Sequence, residues 1–144
     1  MSVAANQLIA RQCDEISVAP VAASTTLYQG TLAFLTPTGY LDDDTGSGGN
    51  EFAGVVRKFI DNSSGAAGDL SAEIEICGVY TLTGSGFSQA SVGKLVYATD
   101  NYTVTIDPTA SGAVLIGKCR EYISATKITV ELCKVRLTKK NSTA

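Results

Sequence analysis

The chain has 144 residues, 44% of them hydrophobic and 17% charged, with no tryptophan and no histidine. Such a composition is globular, not disordered, and the length lets one domain bury a core without covalent staples. A formal charge of −3 argues against a nucleic-acid partner, whose phosphates are neutralised by basic faces.

Residues 1–26, rich in Ala and Ser with scattered hydrophobics around Pro20, read as an extended N-terminal arm. Within it only residues 3–12 carry a helical pattern, one or two turns at most. The arm lacks a cationic start followed by a continuous apolar run, so no signal peptide is expected. No stretch approaches the roughly 20 apolar residues that cross a bilayer, so no membrane partner is expected either. Synthesis in the cytoplasm follows as the expectation.

From residue 27 onward β-branched and aromatic residues alternate with polar ones between Gly, Asp, Asn and Ser clusters, which predicts strands. The predicted strands are 27–35, 52–60, 70–82, 94–98, 102–106, 113–123 and 127–137. Ile74 and Ile76 alternate with Glu73 and Glu75, and Ile128, Val130 and Leu132 with Thr129 and Glu131; such strands are apolar on one face, as in half-buried antiparallel sheets. The stretches 42–50 and 62–69 are turn chemistry, and Ser124-Ala125-Thr126 is a tight link in a final hairpin. Lys134, Arg136, Lys139 and Lys140 lead into a basic tail, 139–144, which reads as solvated. The fold class is therefore all-β, an antiparallel barrel or sandwich, with a single β domain over 27–138.

Catalytic constellations are missing. Without histidine, Ser-His-Asp and Cys-His systems are excluded, and no phosphate-cradling Gly-rich motif occurs. The expectation is a protein that is not an enzyme and has no cofactor. Asp42 and Asp44, at alternate positions of an acidic turn before Thr-Gly-Ser-Gly-Gly, are the one metal-like feature; calcium takes such oxygens, whereas a solvated turn is the ordinary reading. Cys13, Cys77, Cys119 and Cys133 lack the short spacing of zinc or redox sites. They read as reduced thiols, with Cys119 and Cys133 as candidates to face each other across the last hairpin. The sequons at Asn62, Asn101 and Asn141 read as accidental.

The chain also resembles itself. At an offset of 63, Gly30, Leu32, Phe34 and Thr36 fall on Gly93, Leu95, Tyr97 and Thr99, and Gly54, Arg57 and Phe59 fall on Gly117, Arg120 and Tyr122. With seven residues fewer in the second loop, Glu75-Ile76-Cys77 falls on Glu131-Leu132-Cys133. Two related halves, about 27–80 and 90–136, are expected to pack or close together, with Gly30, Gly54, Gly93 and Gly117 as structural glycines. Arg57 with Phe59, and Arg120 with Tyr122, are expected to share a strand face and stack, either as rim structure or as partner contacts.

An ordered set of short blocks spans the chain from Tyr28 to about Leu137. It comprises Tyr28-Gln-Gly-Thr-Leu32, Phe52-Ala-Gly54-Val55, Gly68-Asp69, Gly78-Val79-Tyr80, Val92-Gly93-Lys94-Leu95-Val96-Tyr97, Leu115-Ile116-Gly117-Lys118 and Val130-Glu131-Leu132. In this order the blocks resemble the tailed-phage capsid decoration, or head cement, proteins. The family's Gly-Asp-Val-Tyr-like block reads here as Gly93-Lys94-Leu95-Val96-Tyr97, and the arm lies outside the matching blocks. The resemblance implies a virion protein on the outer capsid surface, bound to the major capsid protein, often as a homotrimer. In that setting Leu8, Ile9, Ile16 and Val18 of the arm are candidate contacts, added as a strand to a capsid edge. The alternative is a carbohydrate-binding or adhesive module on a virion fibre, using Tyr40, Tyr80 and Tyr102.

Overall fold

A computed structural model describes residues 16–133, and these are all β apart from two single-turn 3-10 helices, Gly46–Gly48 and Gln89–Ser91. The helical pattern at 3–12, together with Leu8 and Ile9, falls outside the described residues. Strands β1 (Ile16–Pro20), β2 (Thr25–Leu27), β3 (Leu32–Leu35), β4 (Leu41–Asp42), β5 (Glu51–Val56), β6 (Ile60–Asn62) and β7 (Ser71–Glu75) form the first part of the chain. Strands β8 (Cys77–Gly84), β9 (Leu95–Ala98), β10 (Thr103–Thr105), β11 (Val114–Ser124) and β12 (Lys127–Cys133) form the second.

The first five-stranded sheet has the order β1-β7-β5-β3-β4, and β2 pairs with β6 beside it. Its two ends meet at one parallel bridge, Val21 to Leu41. The second set closes into a barrel in the order β10-β8-β12-β11-β9, sealed by the parallel pairs Thr103–Thr83 and Val104–Gly84.

The registers of the two sheets are related by simple arithmetic. Adding 63 to the residue numbers of β1, β3, β4 and β5, and 56 to those of β7, turns every pairing of the first sheet into one of the second. Ile16–Glu75 becomes Val79–Glu131, Ala33–Gly54 becomes Val96–Gly117, Leu35–Leu41 becomes Ala98–Val104 and Val56–Ile74 becomes Cys119–Val130. Even the parallel bridge Val21–Leu41 becomes Gly84–Val104. The β3–β5 irregularity that skips Ala53 has its counterpart in β9–β11, which skips Ile116.

Gly54 and Gly117 sit where this geometry leaves no room for a side chain. A Cβ on Gly54 would lie 2.6 Å from the Glu75 carbonyl oxygen, and one on Gly117 would run still closer into that of Glu131. Gly30 and Gly93 turn into β3 and β9 with φ of +83° and +88°, a region open to glycine at little cost.

Alternation assigns the cores. On β7, Ala72 and Ile74 point inward to a cluster with Val21, Leu27, Ala33, Leu41 and Val56. Neighbouring side chains of a strand face opposite ways, so Leu32 and Phe34 leave that cluster and, with Val55, join the core of the closed barrel around Val96, Ile116, Ile128 and Val130. Apolar residues therefore occupy both faces of β3, as expected where both faces are covered.

The sequence expectation needs correction at the N-terminal side. Residues 16–26, assigned to an arm, are part of the fold: β1 pairs along its length with β7, and Val21 and Thr25 are buried. The strand expected over 27–35 is broken by a turn at 28–31, and that over 52–60 by a bend at 57–59. The 70–82 segment divides into β7 and β8, while residues 134–137 of the last predicted strand lie outside the described residues.

Candidate interaction surface

Arg57 follows β5, and its backbone N–H donates to the Glu73 carbonyl at 3.0 Å. This anchor brings the guanidinium to Glu73 (Nη1–Oε1 3.8 Å) and Glu75 (Nε–Oε2 3.6 Å), with the side chains about a third exposed. The Tyr80 hydroxyl in turn donates to Glu75 Oε1. The chain bends at 57–59, so alternation fails there and the expected Arg57–Phe59 stack does not form. Phe59 instead packs on Tyr28, ring centroids 5.4 Å apart, and both rings are more than half exposed. Arg120 lies in a β-bulge, passed over between the pairs Cys119–Val130 and Glu121–Thr129, and is exposed.

Arg57, Glu75 and Tyr80 line an open groove of about 320 Å³ together with Gln29, Gly30 and Thr81. A second depression of about 250 Å³ continues it past Asn101, Tyr102 and Lys127, sharing Gly30, Thr81 and Leu82. The groove thus runs between the two sheets. Its best-placed charges already neutralise one another, which suits polar surface contact more than the capture of a single strong ion.

A second feature is apolar. Ile16 and Val18 project from β1 with 42% and 63% of their surface exposed. Among the described residues Ile16–Pro20 pair on one side only, with β7. The counterpart of Ile16 in the second sheet, Val79, is likewise 44% exposed. Unpaired strand edges with apolar side chains are templates for association.

The carboxylates of Asp42, Asp43 and Asp44 converge, with one oxygen from each lying within 4.8 Å of the others. Asp42 Oδ1 accepts the Asp43 N–H and Asp44 Oδ1 the Gly46 N–H, so these two acids first serve their own turn. Partial burial, then the hydrogen bond and charge of Asp42, pushes the Asp43 carboxyl up. Hydrogen bonds from the side chain and backbone of Ser63 hold Asp61 down, and those from Thr109 hold Asp107 down. Burial pushes the Cys119 thiol up, away from reactive thiolate character. Asn62 is buried and its amide donates to the carbonyls of Ala22 and Ala66; it is a loop brace.

Of the predicted residues, Arg57 reaches the groove, Ile16 and Val18 reach the β1 edge, and Arg120 belongs to neither. Sequence reasoning did not foresee the Arg57–Glu73–Glu75–Tyr80 cluster. Its signal was Glu73 and Glu75 sharing the polar side of β7. No protein-family model, no curated protein and no solved structure matches this chain.

Proposed function

We propose that the protein is a structural virion component, a capsid decoration or cement protein that binds the outer surface of a phage capsid and stabilises it. The observation that carries this reading is the one-sided β1 strand with its exposed Ile16 and Val18, taken with the ordered sequence blocks. The reading holds the protein to be a homotrimer on the major capsid protein, made in the host cytoplasm and without catalytic activity. It also holds that the two sheets are copies of one duplicated five-stranded unit, supported by the matching registers. Many modest contacts repeated over a symmetric shell would brace it through avidity.

The test is co-sedimentation with expanded, undecorated capsids, alongside light scattering of the free protein. A trimeric mass and saturable binding are expected. The double variant Ile16→Asp/Val18→Asp should keep the β-sheet circular dichroism and lose about tenfold or more in capsid affinity, the scale of a buried apolar anchor. A monomer that stays in the supernatant would overturn the proposal.

A second reading, a carbohydrate-binding or adhesive module on a virion fibre, is favoured by the placement of Tyr80 and Tyr102 on two adjoining depressions that share Gly30, Thr81 and Leu82. Glycan-array binding lost in Tyr102→Ala would favour it over decoration.

A further inference from the structure

Cys77 opens β8 and Cys133 closes β12, and the two are directly opposed in the antiparallel β8–β12 pairing. Cys119 sits elsewhere, opposite Val130 and buried in the second core. The anticipated pairing of Cys119 with Cys133 is therefore not the one the register offers. Two bulges in β11, between Cys119 and Glu121 and between Tyr122 and Ser124, displace Cys119 from the position that counting back through the hairpin would give.

We propose that Cys77 and Cys133 are a disulfide-forming pair that staples the closed barrel under oxidising conditions. Opposed residues of an antiparallel pair have Cα atoms roughly 4.5–5.5 Å apart, inside the range of about 4.4–6.8 Å that a disulfide spans. The loop closed by the bond would run from the first residue of β8 to the last of β12, enclosing all five strands of the closed barrel. A cross-link at that seam ties the first strand of the barrel to its last. It also fixes the end of β12, from which residues 134–144 continue. The inference does not depend on the capsid reading.

The chemistry needs an oxidant, a small-molecule disulfide such as oxidised glutathione. One cysteine thiolate attacks the oxidant's S–S bond and expels one small thiol, leaving a mixed disulfide. The second thiolate attacks the protein sulfur of that mixed disulfide and expels the other small thiol. One S–S bond is broken in the oxidant and one is formed in the protein. The protein is oxidised by two electrons, the oxidant is reduced to two thiols, and they take the two cysteine protons. A reducing cytoplasm would keep the pair open, and an oxidising medium would close it.

The experiment treats the full folded chain with oxidised glutathione, then reads intact mass and a non-reducing digest. The expected product is lighter by two hydrogens, with one peptide pair joining the segments that hold Cys77 and Cys133. Its thermal midpoint should exceed that of the reduced protein by roughly 5–15 °C. Cys77→Ser and Cys133→Ser should abolish the link, whereas Cys119→Ser should retain it. A link to Cys13 or Cys119, cross-linking only between chains, or no mass loss would overturn the pairing. The digest decides on the unsubstituted protein, so it stands even if a variant misfolds. A Cys77–Cys133 bond that leaves the midpoint unchanged would overturn the stapling role.

Discussion

The two sheets share a register but not their contents. Where the first sheet's core has Ala33, Ala72, Leu41 and Ile74, the matching positions of the second hold Val96, Ile128, Val104 and Val130. Small residues in one stand against larger ones in the other, and larger against smaller. One backbone arrangement accepts different hydrophobic fillings, so the two cores need not match side chain for side chain. The close main-chain approach is common to both, and Gly54 and Gly117 stand at its corresponding points. The difference teaches that in this fold the backbone contact is the stricter constraint.

The largest expected effect tests that lesson. Gly54→Ala and Gly117→Ala each drive a methyl into a carbonyl oxygen of the neighbouring strand, which no side-chain rotation can relieve. Each should cost about 2–4 kcal/mol in unfolding free energy, read from urea denaturation, with Gly117 the worse because its clash is closer. A tolerated substitution at one site and not the other would break the equivalence.

The glycines and the alternating strands were legible because each local rule there agrees with the final packing. Strand β1 was not, because Ile16-Ser-Val-Ala-Pro20 is short and ends in proline. Proline is acceptable only at an edge or strand end, and that position becomes apparent only once β7 is beside it. The bend at 57–59 and the bulges in β11 each shift side chains out of a period-two count, so the Arg57 partners and the cysteine register could not be read by spacing. The groove exists only because the two sheets pack, and no local pattern encodes it.

A smaller effect separates the two arginines. Arg57 meets two carboxylates, both pairs partly exposed, whereas Arg120 occupies an exposed bulge position. Exposed ion pairs contribute at most about 1 kcal/mol, so Arg57→Ala should lower stability by about 0.5–1 kcal/mol at low salt. Arg120→Ala should stay within about 0.5 kcal/mol of the parent. Equal losses would show that the ion-pair cluster is not what distinguishes the first sheet.

The smallest effect concerns the acidic turn. Adding 63 places Asp44 on Asp107, and the two acids do the same work: Asp44 accepts the N–H of Gly46, and Asp107 that of Thr109. Asp43, in contrast, falls on Ile106, which packs against the second core. A charge therefore stands in the first sheet where the second has a hydrocarbon, and partial burial with Asp42 alongside raises its proton affinity. A carboxyl raised in the folded state binds its proton more tightly there than in the unfolded chain. Its stabilising contribution is thus complete below the ordinary value of 3.8 and is lost as pH climbs through the raised one. Asp43→Asn removes that loss, so the variant should be more stable than the parent at neutral pH, by on the order of a few tenths of a kcal/mol after solvent screening. The gain should shrink as pH falls toward the unperturbed carboxylate value. Paired urea titrations at neutral and acidic pH would measure it, and a gain that grows on acidification would mean that Asp43 is held as a stabilising anion.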